Sequence, residues 1–264
     1  MDYFKITQQF IEDTQRVATL KELTMIFQKL INGFGCTHFV CMSHVDAFNP
    51  PDDAVVLASY PIEWGRYHSE KQYHKNDPVQ QTCRRSITPF TWSNDHWRYM
   101  LTRTQETILN EAGEFGLVEG HTIPIHPPTG YAASLSVVFE KNGVDPQALN
   151  ALHLIAFYLY SSAIQMKTSG NNVYWWKNTI TEQKKRILEL MAQGKSNSVI
   201  GDILNISEST VKDHIKHIYH EFNVSSRPQA VVEALYRDII SFQDVKVTRP
   251  TNSNENSGVV LLQP

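Results

Sequence analysis

At 264 residues, with 41% apolar and 19% charged side chains and a formal net charge of −3, the chain has the composition of an ordinary globular protein long enough for two domains. Cys36, Cys41 and Cys83 form no C-x-x-C pair, and an odd number of thiols argues for a reducing compartment over a disulfide framework. There is no basic-then-apolar leader and no run of about 18 apolar residues, so the expectation is a cytoplasmic protein with no membrane partner; a nucleic-acid partner would need a local cationic surface.

Residues 4 to 32 place Phe10, Ile11, Val17, Leu20, Leu23, Ile26, Phe27, Leu30 and Ile31 at helical spacing, which predicts one or two amphipathic helices closed by Gly33 and Gly35. Cys36 to Val45 and Ala54 to Ser59 read as strands. Tyr60-Pro61 opens a helical segment carrying Trp64, Tyr67 and His68; Asp77-Pro78 starts a further short segment, and Leu101 to Phe115 is helical. Gly120 to Ile125 and Gly130 to Glu140 read as strands joined by a turn at Pro127-Pro128-Thr129-Gly130, and Pro146 to Gln165 as a helix that packs on the sheet. The expectation is an α+β chain: an N-terminal α-β-α sandwich with an antiparallel sheet over residues 1–167, then a linker at 168–178. A small all-α domain of four helices follows over 179–242, and then a disordered Asn/Ser/Thr-rich tail over 243–264.

In the second domain, Ile187, Leu188 and Met191, then Ile200, Ile203 and Leu204, then Val211, Ile215, Ile218 and Phe222 recur at helical spacing. Asn205-Ile206-Ser207 breaks the pattern, and Ser207 is placed to cap the next helix. The other side of that helix carries Thr210, Lys212, Asp213 and Lys216, the two lysines sharing a face. A short helix, a tight turn and a second helix with one apolar and one cationic side is the helix-turn-helix that enters a DNA major groove; a solvated lysine face on a plain bundle is the alternative. Ser207, Ser209 and Thr210 at the helix start suit a phosphate, whereas Asp213 suits only a cytosine amino group.

Gly194-Lys195-Ser196, the run Ile206 to His214, and Asn223-Val224 followed by Arg227 resemble the C-terminal domain of LuxR-type transcription regulators. The resemblance implies four helices, DNA contacts from Lys212 and Lys216, and a dimer interface on a last helix from about Arg227 to Ile240, with Ala230 and Ala234 in it. Where the family opens its first helix with an Arg-Glu pair, this chain has Gln183-Lys184, so an ion pair expected there is replaced or missing.

The N-terminal half holds Tyr60-Pro61 then Trp64, Asp77-Pro78-Val79, Phe90-Thr91-Trp92, and Gly120 with Thr122-Ile123-Pro124-Ile125; in this order and spacing it resembles the autoinducer-binding domain of the quorum-sensing LuxR branch. The implied ligand is an N-acyl homoserine lactone. Asp77 would accept from its amide N–H, Trp64 donate to the lactone carbonyl, Tyr60 donate to the acyl carbonyl, Ser136 add a hydroxyl and Trp92 wall the lactone ring. His68 departs from the family's Tyr and would alter acyl-chain preference. Phe39, Val40, Met42, Leu57, Ile123, Ile125 and Leu135 are candidate lining residues. Each polar candidate also has a structural reading: Trp64 and Trp92 as core aromatics, Tyr60 as a turn residue, Asp77 as a helix cap.

The resemblance implies as partners a two-fold-symmetric operator DNA of roughly 18–20 base pairs, the autoinducer, a second copy of the chain, and RNA polymerase as a further candidate; no cofactor, metal or catalytic residue is expected. His214 and His220 stand about 240° apart on a helix, so with His217 they do not converge on one metal. Arg84 and Arg85 beside Cys83 would lower its thiol pKa, but no base pairs with it by spacing. The alternative function is a solo or ligand-independent regulator of the same type, answering another small molecule or a protein.

Overall fold

The computed structural model describes residues 1–127, 130–140, 143–168 and 180–245, and the chain divides into two units, Met1–Tyr174 and Trp175–Pro264. All but Thr168 of the expected linker, the tail beyond 245 and the middle of the Pro127–Gly130 turn lie outside the described residues.

In the first unit, α1 (Tyr3–Arg16) is capped by Asp2, and α2 (Leu20–Gly33) opens on a capping box in which Thr19 and Glu22 satisfy each other's backbone N–H. Gly35, at φ +84°, turns the chain into β1 (Cys36–Ser43). There follow β2 (Val56–Ala58), α3 (Ile62–Glu70), α4 (Pro78–Cys83), β3 (Phe90–Thr91), α5 (Asp95–Tyr99) and α6 (Arg103–Glu114). The unit ends with β4 (Glu119–Ile125), β5 (Ala133–Phe139) and α7 (Pro146–Thr168). The strands form one antiparallel sheet in the order β2-β1-β5-β4-β3. β3 and α5 are too short to carry a period and are not legible as elements in the sequence; α7 runs one turn further than its apolar pattern.

Strand side chains alternate between faces, and here the alternation separates structure from site. Phe39, Cys41, Leu57, Ile123, Leu135 and Val137 face α1, α2 and α7, where they pack with Phe27, Ile31 and Leu159. Four of the expected lining residues, Phe39, Leu57, Ile123 and Leu135, therefore belong to this core and not to a ligand cavity, and Ile125 packs at its edge. Their sheet neighbours Val40, Met42, Val56, Ser134 and Ser136 point the other way, toward α3, α4 and α6.

The second unit contains α8 (Glu182–Ala192), α9 (Asn197–Leu204), α10 (Glu208–Phe222) and α11 (Arg227–Tyr236), each capped by a hydroxyl: Thr181, Ser196, Ser207 and Ser226. Asn205 supplies the left-handed turn residue at φ 54°. Gly201 lets the turn close, because a Cβ there would lie 2.7 Å from the Ile206 carbonyl oxygen. α11 ends at Tyr236, earlier than expected, yet Ile239 and Ile240 still fold onto the core.

Candidate functional site

The polar-bearing face of the sheet and α3, α4 and α6 enclose a cavity of ≈ 350 Å³, of the size that suits a small ligand. Val40, Met42, Ile108, Leu109 and Leu117 give it an apolar body, and all six expected residues, Tyr60, Trp64, His68, Asp77, Trp92 and Ser136, line it. Their positions follow from local structure. Trp64 and His68 are four apart on α3 and so share a face. Asp77 is the N-cap of α4, its Oδ1 accepting from the N–H groups of Val79 (2.8 Å) and Gln80 (3.0 Å). The cap reading of Asp77 is thus met by one of its two oxygens.

The other oxygen is not free. His68 Nε2 lies 3.0 Å from Asp77 Oδ2, both side chains being 16% exposed. Burial pulls the Asp77 carboxyl upward, but the His68 hydrogen bond and charge, with the Gln80 N–H, outweigh it and hold the pKa below the usual carboxylate value. His68, read from sequence as a lining residue that alters chain preference, lines the cavity and also engages the acceptor expected for the ligand amide.

On the sheet side, Trp92 donates its indole N–H to Thr122 Oγ1 (2.9 Å), and the Thr122 and Ser136 hydroxyls share a hydrogen bond of 2.8 Å. Gly120 is required by this arrangement: a Cβ there would lie 2.8 Å from Cε2 of the Trp92 ring. The Tyr60 hydroxyl is closed off from solvent and makes no hydrogen bond of good geometry among the described residues; burial pushes its pKa up, and the nearby Ser136 hydroxyl offsets this in part. Gln80, three residues beyond Asp77, has no motif to announce it, yet it is buried, lines the cavity, and its Oε1 is unpaired. Phe48 is a second lining residue missed in sequence; its ring lies over Gly65, where a Cβ would meet it at 2.7 Å. Cys83 departs from expectation: it is fully buried, and burial pushes its thiol up to about 12, which leaves no reactive thiolate.

In the second unit, Lys212, Asp213 and Lys216 are exposed on the outer side of α10, while Val211, Ile215, Ile218 and Phe222 are buried. Lys212 is held by Glu208 at 2.8 Å. The Ser207 hydroxyl caps Thr210 N and also reaches the hydroxyls of Ser209 (2.7 Å) and Thr210 (2.8 Å). The missing Arg-Glu pair is replaced: Lys184 on α8 pairs with Glu221 on α10. Ala230 and Ala234 are fully buried in the unit's own core against α8 and α10, so their side chains cannot meet a second chain; the open side of α11 carries Val232. Among the described residues, no group of histidine, cysteine and carboxylate side chains could hold a metal, and no helix is long and apolar enough to cross a membrane.

The comparisons with known proteins agree with both halves. A family model of the autoinducer binding domain matches residues 19–163, and one described as bacterial regulatory proteins, luxR family, matches residues 178–234. The chain is 28% identical over 233 residues to the HTH-type quorum sensing-dependent transcriptional regulator RpaR of Rhodopseudomonas palustris, covering 88% of this chain and 93% of RpaR. It is 28% identical over 187 residues to the transcriptional activator protein BjaR1 of Bradyrhizobium diazoefficiens, covering 71% and 76%. Among solved structures, Escherichia coli SdiA superposes with a TM-score of 0.69 at 23% identity, over 90% of this chain and 99% of SdiA; a second SdiA structure, in complex with octanoyl-rac-glycerol, gives 0.67.

Proposed function

The chain belongs to the LuxR-type transcription regulators, ligand-responsive DNA-binding proteins and not enzymes, and on that premise we propose that its first unit binds an N-acyl homoserine lactone-like signal. The observation that carries the reading is the ≈ 350 Å³ cavity, apolar along its body with Tyr60, Trp64, Asp77, Trp92 and Ser136 in its wall, and with the Tyr60 hydroxyl unpaired. A buried hydroxyl without a partner costs about 1–3 kcal/mol, and a ligand carbonyl accepting from it removes that cost. The signal then completes the core and stabilises the folded state by mass action, by about 2.7 kcal/mol at a hundred times its dissociation constant.

The ordered protein dimerises and presents two copies of α10 to half-sites about one DNA turn apart, Lys212 and Lys216 entering the groove and Ser207 and Thr210 meeting phosphate. A regulator that acts on bacterial DNA works in the cytoplasm, and RNA polymerase is the further partner through which it would act. Thermal unfolding against a panel of acyl homoserine lactones tests the signal. The expected result is a chain-selective rise in midpoint that Tyr60→Phe reduces, and a flat panel with folded, ligand-free protein overturns it. One observation favours a second reading, a regulator answering a different small molecule: His68 already donates to the Asp77 oxygen that a lactone amide would use. A midpoint shift with monoacylglycerols and none with lactones would decide for it.

A further inference from the structure

A polar group in an apolar wall costs free energy unless it is bonded. On the cavity face of the sheet β5 contributes two hydroxyls, Ser134 and Ser136, two residues apart and so about 7 Å along the strand. Ser136 belongs to the chain of hydrogen bonds that runs through Thr122 to Trp92. Ser134 stands apart from that chain. Its cross-strand neighbours are Met42 on β1 and Pro124 on β4, and neither side chain has an N–H or O–H. The Ser134 hydroxyl is buried and is met by the imidazole of His44, whose Nε2 lies 3.0 Å away. His44 follows β1 and is not itself part of the cavity lining.

The imidazole decides what the serine can offer. Burial, which the Asp77 charge opposes only in part, lowers the His44 pKa to about 4, so near neutral pH the ring carries a single proton. Among the described residues its Nδ1 is buried without a partner. A buried N–H left over is rarer than a buried acceptor left over, which places the proton on Nε2. Nε2 therefore donates to Ser134 Oγ, and the serine keeps its own hydrogen to give. Beside it the protein offers the Cys83 sulfur, a weak acceptor.

We infer that Ser134, oriented by His44, is a second polar subsite of the cavity, its hydroxyl donating to an oxygen carried on the acyl chain of the signal. This deepens the ligand-binding reading above and rests on it, and it leaves the head-group roles of Tyr60, Trp64, Asp77, Trp92 and Ser136 as they stand. An unsubstituted chain leaves the Ser134 hydrogen to the thiol. An oxo or hydroxyl group on the chain is a stronger acceptor and takes it over. A wall built to bond an oxygen discriminates against the chain that lacks one, which a purely apolar wall cannot do. His44 touches Ser134 and not the cavity, so it is a positioning residue.

The test separates recognition of the chain from binding as such. Binding isotherms and thermal shifts compare N-acyl homoserine lactones of one chain length: unsubstituted, and with an oxo group at carbon 3 or at carbon 5. The wild type should bind one of the oxygenated chains about tenfold more tightly than the unsubstituted one, the worth of one hydrogen bond. Ser134→Ala should bring the affinities together by weakening the oxygenated chain alone. Where that change leaves the imidazole unpaired and the protein unstable, Ser134→Ala combined with His44→Leu takes its place. His44→Leu alone should reduce the preference, and His44→Gln, which keeps an N–H to donate, should restore it; a merely structural histidine would move the unfolding midpoint and not the preference. A wild type that binds lactones without favouring either oxygenated chain, or a preference that survives Ser134→Ala, overturns the inference and leaves lactone binding intact. A wild type that responds to none of the lactones overturns the lactone reading and this inference with it.

Discussion

His68 Nε2 donates to Asp77 Oδ2 at 3.0 Å, tying α3 to the N-cap of α4 across the wall of the cavity. The bond does structural work whether or not a ligand is present. His68→Ala should lower the stability of the ligand-free protein by about 1–3 kcal/mol, since it strips a mostly buried carboxylate of a donor. Asp77→Ala should cost about 1 kcal/mol more than Asp77→Asn, because asparagine can still cap α4. A double-mutant cycle on the unfolding free energies checks the pairing. Additivity within about 0.5 kcal/mol would mean the contact contributes nothing.

Gly120→Ala should act through Trp92. The added methyl would lie 2.8–2.9 Å from the indole ring, so the ring must move and release its bond to Thr122 Oγ1. The expected cost is about 1–3 kcal/mol, with a changed tryptophan emission and weaker signal binding. Unaltered emission and binding would show that the strand, not the ring, gives way.

Acid should destabilise the first unit before its carboxylates titrate. Burial lowers His44 to about 4, and burial with the neighbouring His153 lowers His121 to about 4. Both are neutral in the folded state below the point where an unfolded histidine, with a pKa near 6.5, takes up its proton. The unfolded chain therefore binds more protons between about pH 6.5 and 4, and stability falls as pH falls through that window, by up to about 3 kcal/mol for each group. Asp77, held below the usual carboxylate value, adds a further loss only at lower pH. Denaturant melts from pH 7.5 to 4.5 check the slope, which His44→Gln should flatten by about half.

How much of this was legible in the sequence depends on how local the cause is. The caps at Ser207 and Asp77 and the helical periods are short-range, and they appear as read. The two faces of the sheet were not separable, because both are buried and both carry apolar residues: Phe39 and Val40 are adjacent and apolar, and only packing on α2 and α7 shows that the first is core and the second cavity. The same holds for Ala230 and Ala234, whose small size suits a helix contact without telling which helix. His68 and Asp77 are nine residues apart across a helix end and a turn, so their bond is a tertiary fact. Gln80 looks like any polar residue in a first helical turn; only its unpaired oxygen singles it out.

The exposed side of α10, proposed above to meet DNA, carries two lysines in different surroundings, and they should behave differently. Lys216 is exposed and, among the described residues, has no carboxylate bonded to it, so Lys216→Ala should weaken operator binding and reduce the salt slope of log affinity by about one, with the signal-induced thermal shift unchanged. Lys212 must first leave Glu208, but that pair is 61% and 49% exposed and joins residues one helical turn apart, an interaction worth only about 0.3–0.5 kcal/mol. Glu208→Gln removes both the competitor and a negative charge from the helix start, and should tighten binding about two- to threefold at low salt. The gain should fade as salt is raised. Fluorescence anisotropy on operator DNA across a salt series reads both effects. Operator affinity indifferent to Lys212→Ala and Lys216→Ala alike would mean that DNA meets the unit on another face.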